Sequence, residues 1–276
     1  MVGAVGAVAR RPLTVLDNLG EQLAFYLRSL AWTPRTLRRY RPELLRLLAE
    51  VSFGSGALAV IGGTVGVITF LSFFTGTEVG LQGYAALDQL GTSAFTGFVS
   101  AYFNTREIAP LVAGLALSAT VGCGFTAQLG AMRINEEIDA LEVMGVPSMP
   151  FLVTTRVIAG FVAVVPLYVV GLLASYLSTR IVATVYYGQS AGTYDHYFRL
   201  FLPPTDVLWS FGKVLVFAVV IILTHCYHGY RATGGPAGVG VAVGRAVRTS
   251  IVAINVIDFF LSLAIWGATT TVRLAG

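Results

Sequence analysis

Long apolar runs separated by short polar connections dominate the chain. A helix needs about 20 predominantly apolar residues to cross a bilayer. Five windows approach or exceed that length: residues 57–75, 108–127, 149–178, 207–227 and 250–272. A weaker apolar stretch, 84–103, contains Asp88 and many small residues and runs up to Asn104. It predicts a helix packed against protein or dipping into the outer interface, not a sixth span. Ahead of the first window, Leu16, Leu19, Leu23, Leu27 and Leu30 recur at helical spacing. Asp17, Glu21 and Arg28 fall between them, and Trp32 closes the run. This pattern predicts an amphipathic helix lying in the membrane interface. A helix docked on a cytosolic partner would show the same spacing. The expected division is an N-terminal segment, 1–56, and a transmembrane domain, 57–276. The start of the chain lacks the charged-then-apolar pattern of a cleavable signal.

Composition strengthens this reading. The chain has 276 residues, 55% hydrophobic and 12% charged. Soluble domains carry about 25% charged residues. So little polar surface cannot cover so much apolar volume, and the surrounding solvent is mostly lipid. The fold class expected is an all-α integral membrane protein.

Charge then orients it. With the N-terminus inside, the inner segments hold Arg10, Arg11, Arg28, Arg35, Arg38, Arg39, Arg41, Arg46, Arg133, Arg231, Arg245 and Arg248. The outer segments hold only Arg106, Arg180, Arg199 and Arg273. The positive-inside rule therefore predicts a multi-pass protein of the plasma membrane, with a cytoplasmic N-terminus and an outer C-terminus. These arginines lie beside apolar spans without any nucleic-acid motif, so no nucleic-acid partner is expected.

The spans carry little that could do chemistry. Glycines four apart, Gly62 with Gly66 and Gly76 with Gly80, let helix backbones approach closely, as do Gly122, Gly124 and Gly130. That closeness serves packing within one chain or against a second copy. Pro166 predicts a kink in the third span. Arg156 and Asp258 each fall about 10–12 Å from the cytoplasmic ends of their windows. Lone charges at depth tend to pair, so an architectural Arg156–Asp258 ion pair is expected. Lys213, nearer the outer end of the fourth span, is expected to snorkel outward. His225, Cys226 and His228 lack further ligands nearby for a metal site. With Tyr227 and Tyr230 they suggest an interfacial belt. Cys123 and Cys226 suggest no disulfide. The glycine-rich run 234–244 lacks the Gly-Lys-Ser/Thr of a phosphate loop. No catalytic constellation, metal site or cofactor is expected in this chain.

One stretch stands apart. Residues 133–147 read RINEEIDALEVMGVP, with Glu136, Glu137, Asp139 and Glu142 within seven residues. Asn135 is the expected N-cap, the first acids favour the positive helix end, and Gly145 and Pro147 supply the stop. The expected helix lies near 135–145, with Ile134, Ile138 and Leu141 on one face. So short a helix needs a partner surface. It is a docking element or merely a cover for the bundle.

The run GAMRINEEIDALEVMGVPSMPFLVTTRVIAG, 130–160, resembles the permease family of lipid-transporting ABC systems, the MlaE and YrbE proteins. Further matching stretches are GTEVGLQGYAALDQLG (76–91), TREIAPLVAGLALSATVGCGFTAQLGAM (105–132) and NVIDFF (255–260). Residues 186–211 and 225–250 look most like the B-type YrbE of actinobacterial Mce systems. The resemblance covers about residues 40–270.

It implies an N-terminal interfacial helix and about five spans. It also implies an A-type second permease in a heterodimer, two copies of a cytoplasmic ATPase that binds ATP and Mg, and outer Mce proteins touching loop 186–205. The matching coupling helix assigns Glu136, Glu137, Asp139, Leu141, Glu142 and Met144 to ATPase contacts. Leu81, Gln82, Tyr84, Arg106 and Glu107 match the family's lipid region. One departure is Gln128, where the family often carries Glu. The implied function is the permease subunit of an ATP-driven importer of fatty-acid, sterol or mycolic lipids. The alternative is a non-transporting membrane scaffold that anchors Mce proteins.

Overall fold

The structure is a computed structural model and describes residues 17, 19–53 and 63–267. Leu16, Gly62, Arg10, Arg11, Arg273 and the end of the fifth window lie outside the described residues. Residues 19–31 form α1, followed by α2 (Thr33–Arg39) and α3 (Arg41–Phe53). Then come α4 (Thr64–Gln89), α5 (Ser93–Ile134), α6 (Glu137–Val143), α7 (Met149–Tyr186), α8 (Ala191–Leu200), α9 (Pro204–Tyr230) and α10 (Gly235–Trp266). Five of these, α4, α5, α7, α9 and α10, are long and apolar enough to cross a membrane. The chain is an all-α membrane protein.

Two sequence boundaries move. The stretch 84–103 is not a separate helix. Its first part completes α4, Gly91 turns the chain with φ 68°, and its second part opens α5. Asn104, at the end of that stretch, is buried inside α5 and donates to Ser100 Oγ at 3.2 Å and Thr179 Oγ1 at 3.0 Å. The glycine-rich run 234–244 is also not a loop. Only Gly234 and Gly235 take positive φ, 88° and 68°. Pro236 then occupies the first turn, where its missing N–H costs nothing, and α10 continues from there.

Glycine packing is internal where the structure describes it closely. Gly76 and Gly80 bring α4 against Ser175, Ser178, Thr179 and Val182 of α7. Gly122 backs onto His225 and Gly130 onto Val239. Pro166 lies inside α7, which continues through it.

Helix α1 lies across one end of the bundle. Phe25 packs on Tyr227 and Tyr230, with ring centres 5.5 and 5.7 Å apart. Thr154 Oγ1 donates to the Ser29 carbonyl at 3.0 Å. Leu19, Leu23, Leu27 and Leu30 stay exposed on the opposite face. An apolar row with no protein cover is suited to the acyl boundary of a bilayer.

Candidate functional site

The acidic stretch folds as a short helix with a shifted start. Helix α5 runs unbroken to Ile134, so Asn135 is consumed in closing α5 instead of opening α6. Its N–H donates to the Ala131 carbonyl at 3.1 Å. Glu136 then takes the left-handed conformation, φ 60°. A side chain there costs roughly 1–2 kcal/mol.

Ile138 is the anchor, only 1% exposed, with Ile134 and Leu141 half-buried beside it. The acids Glu136, Glu137, Asp139 and Glu142 all face outward. Three of them accept hydrogen bonds, Glu137 only a long one of 3.4 Å from Asn135 Nδ2, and two are firmly tethered. Arg133 Nη1 donates to Asp139 Oδ1 at 2.7 Å, and Ser148 Oγ donates to Glu142 Oε1 at 2.6 Å. Ser148 Oγ also lies 2.7 Å from the Tyr230 hydroxyl, which ties the segment to α9. Beyond the helix, Gly145 turns with φ 74° and Val146 N–H donates to the Leu141 carbonyl at 2.9 Å.

The result is a tip clamped at both ends and bare between them. Met144 is 68% exposed and Val143 is 89% exposed. Val143 was absent from the sequence-derived contacts. Its signal was available: it is an apolar residue out of phase with the Ile134–Ile138–Leu141 stripe. A cleft of about 1110 Å³ opens beside the tip, between α1, the α6–α7 connection and the end of α9. Arg231 pairs with Glu21 across its mouth, and that carboxylate holds the guanidinium above its ordinary range.

A second polar centre lies near the opposite side, where α5, α9 and α10 meet. Pro110 has no N–H to offer the carbonyl four residues back, at Arg106. Lys213 Nζ takes that carbonyl instead, at 2.7 Å. The same ammonium reaches Asp258 Oδ1 at 2.6 Å, Ser262 Oγ at 2.8 Å and Glu107 Oε2 at 3.3 Å. Ser262 Oγ in turn donates to Glu107 Oε1 at 2.7 Å. Beside this hub, Arg106 pairs with Asp206 at 2.6 Å, and Trp266 Nε1 donates to the other Asp206 oxygen at 3.0 Å.

The expected Arg156–Asp258 pair is therefore replaced. Helix α10 begins at Gly235, so Asp258 lies about 35 Å from that end and about 12 Å from Trp266. Arg156 lies about 10 Å from Met149, on the α6 side. The two charges occupy opposite halves of the bundle. Arg156 Nη1 donates to the Leu152 carbonyl at 2.7 Å and Nη2 to Gln128 Oε1 at 3.2 Å. Gln128 Nε2 passes the link to Glu50 of α3 at 2.8 Å. A double-mutant cycle between Arg156→Met and Asp258→Leu is expected to show coupling within about 0.5 kcal/mol. A larger coupling would reinstate the direct pair.

Lys213 does not snorkel either. It is 1% exposed, because four oxygen groups already surround it inside the bundle. His225 leaves the expected belt for the core. Its Nδ1 lies 2.8 Å from Thr126 Oγ1 and its Nε2 3.1 Å from Ser118 Oγ, which also touches Ser250 Oγ at 2.8 Å. These contacts join α5, α9 and α10 through neutral groups.

The residues expected to meet lipid fall into two groups. Arg106 and Glu107 belong to the ion network. Leu81, Gln82 and Tyr84 lie on α4. Tyr84 stacks on Tyr187, with ring centres 3.9 Å apart, and Gln82 bonds to Glu78. Leu81 lines an apolar recess of about 480 Å³ with Thr77, Ile181, Val182, Val185 and Tyr186. Segment 186–205 contains α8, whose buried Tyr194 sits against Gly97.

This arrangement offers a rigid exposed tip on one side, a locked ionic hub near the other and apolar recesses between helices. It is suited to moving helices and holding apolar molecules. Several relatives align with nearly the full length of the chain. The chain is 26% identical over 264 residues to a probable ABC transporter permease protein of Rickettsia bellii, covering 95% of this chain and 97% of that protein. It is 31% identical over 199 residues to the chloroplastic protein TRIGALACTOSYLDIACYLGLYCEROL 1 of Arabidopsis thaliana, covering 72% and 57%. It is 23% identical over 269 residues to the intermembrane phospholipid transport system permease protein MlaE of Haemophilus influenzae, covering 97% and 99%. The family described as Permease MlaE matches residues 53–264, three-quarters of the chain, and the protein belongs to that family of membrane permeases.

Proposed function

We propose that this chain is the membrane subunit of an ATP-driven lipid transporter of the Mce type, most like its B-type YrbE permease. The observation that carries the reading is the clamped, bare tip of α6. A lone seven-residue helix frays, but Ile138, Arg133 and Ser148 hold this one to the bundle. Force applied at Glu136, Glu137, Val143 and Met144 therefore reaches α5, α7 and α9 together. Asp139, Leu141 and Glu142 complete the contact set while also fixing the helix.

The driving ATPase, two copies with bound ATP and Mg, is a separate subunit, because this chain has no phosphate loop. The description of the Rickettsia relative as an ABC transporter permease supports that partner. The phospholipid transport named for the Haemophilus relative supports a lipid as cargo.

In this reading residues 1–56 form the interfacial segment and 57–276 the permease domain. The arginine-rich α6 side faces the cytoplasm of the cell membrane, by the positive-inside rule. An A-type permease completes a heterodimer, and Mce proteins meet the α8 side. Fatty-acid, sterol or mycolic lipids enter between the permeases near Leu81, Gln82, Tyr84, Arg106 and Glu107 and are imported.

The test uses the assembled complex in vesicles. Glu137→Lys with Val143→Asp is expected to lower ATP-dependent lipid transfer by about tenfold or more, as for a docking hot spot. Thermal unfolding of the permease should stay nearly unchanged, since both side chains are exposed and Glu137 accepts only a long 3.4 Å hydrogen bond from Asn135, two residues away. Undiminished transfer with the ATPase still bound would sink the coupling role and leave the scaffold reading.

A further inference from the structure

A pocket of about 310 Å³ lies between α2 and residues 145–150, the connection that leaves α6. Its α2 wall carries Trp32, Arg35, Thr36, Arg39 and Tyr40, and its other wall Gly145, Pro147 and Pro150. Arg35 and Arg39 are four apart, so their side chains share one side of α2. Three other arginines on this side of the bundle answer to acids, Arg46 to Glu43, Arg133 to Asp139 and Arg231 to Glu21. Among the described residues Arg28, Arg38, Arg41, Arg245 and Arg248 pair with no acid, but none of them lines this pocket. Among the described residues no carboxylate pairs with Arg35 or Arg39, and Arg35 rests only over the Trp32 ring at 5.0 Å.

Thr36 lies in the same wall, 1% exposed, with no hydrogen-bond partner for its hydroxyl. Thr36 itself lines the pocket, so its hydroxyl remains available to a ligand there. Two guanidinium forks and one hydroxyl make a donor set for a phosphate group.

The surroundings identify which phosphate. Trp32 and Tyr40 are residues of the headgroup level. Leu30 and Leu45 are exposed on the flanking helices α1 and α3, where acyl chains would lie. The volume is at the small end of ligand sites, enough for a headgroup but not for a whole lipid.

We propose that this pocket binds the phosphate of an anionic phospholipid, with the acyl chains lying along the exposed leucines. The bound headgroup bridges α2 to residues 145–150 and so braces the connection between α6 and α7. The assignment rests on the position of α2 at the membrane surface and not on ATP coupling, so it survives if the transport reading fails.

The test measures lipid retention by native mass spectrometry on the full chain in non-ionic detergent. Phosphatidylglycerol and phosphatidylcholine are supplied in equal amounts. Phosphatidylglycerol is expected to be retained about tenfold over phosphatidylcholine, as two cations near a membrane surface imply. Arg35→Gln with Arg39→Gln should bring the ratio close to one. Arg38→Gln with Arg41→Gln removes the same charge from outside the pocket and should leave the preference intact. If the first pair of changes spoils folding, Arg35→Lys with Arg39→Lys keeps charge without the forks and should lower the ratio while holding it above one. Equal loss in the two glutamine variants, or no loss in the first, overturns the pocket. Displacement of the phosphatidylglycerol by inorganic phosphate alone assigns the site to the free anion and overturns the lipid.

Discussion

Lys213→Met is expected to destabilise the permease by about 3–5 kcal/mol, as loss of one partner from a buried ion pair does. The change strands Asp258, which is buried, and Glu107 and Ser262 lose a shared donor. It also takes the ammonium away from the Arg106 carbonyl. Lipid supplies no water to fill the vacancy, so each orphaned group bears its desolvation in full. Asp258→Leu alone should be costly for the same reason, because it leaves the ammonium short of its nearest anion. The double variant should be less destabilised than the sum of the two, by about 0.5–3 kcal/mol of coupling. Unfolding in graded denaturing detergent measures all three. Simple additivity would mean that Lys213 and Asp258 do not act as a pair.

Gly76→Val should be nearly as severe, at about 3 kcal/mol, the top of the range for overpacking. A Cβ at Gly76 would meet Ser178 Oγ and would stand 2.5 and 2.7 Å from the Ser175 carbonyl oxygen and Cα. Backbone cannot swing aside as a flexible side chain can, so α4 and α7 must part. Parting them breaks the bond from Thr179 Oγ1 to the Gly76 carbonyl, 2.7 Å, and disturbs Asn104, which donates to the same hydroxyl at 3.0 Å. Gly124 provides the contrast. It also lies in a spanning helix, but nothing stands within 4 Å of its Cβ position. Gly124→Ala should leave the melting temperature unchanged or raise it, by relief of about 0.8–1 kcal/mol of helix propensity. Comparable losses at both positions would show that flexibility, and not close approach, is what α4 needs from Gly76.

The sequence alone determined that lipid is the solvent, that five helices are long enough to cross it, and that the acidic stretch is a short helix with Ile138 inward. These follow from local quantities: run length, charge density and a helical period within a dozen residues. The resemblance to MlaE-type permeases was legible for the same reason, since its strongest match is one contiguous run. What the sequence misassigned depended on long-range partners or on where a helix begins. Arg156 and Asp258 looked level because glycines hid the first turns of α10, and helix depth is counted from the start. Lys213 looked free to snorkel because nothing local reveals that Pro110 leaves a carbonyl for it across the bundle. Asn135 has the chemistry of a helix opener, yet α5 reached it first. Val143 is not legible as a contact in the sequence, because its value lies in exposure, a property of the packed whole. Only the tertiary structure decides which of several possible partners a buried charge meets, because that choice joins residues about a hundred or more positions apart, such as Arg106 with Asp206 and Lys213.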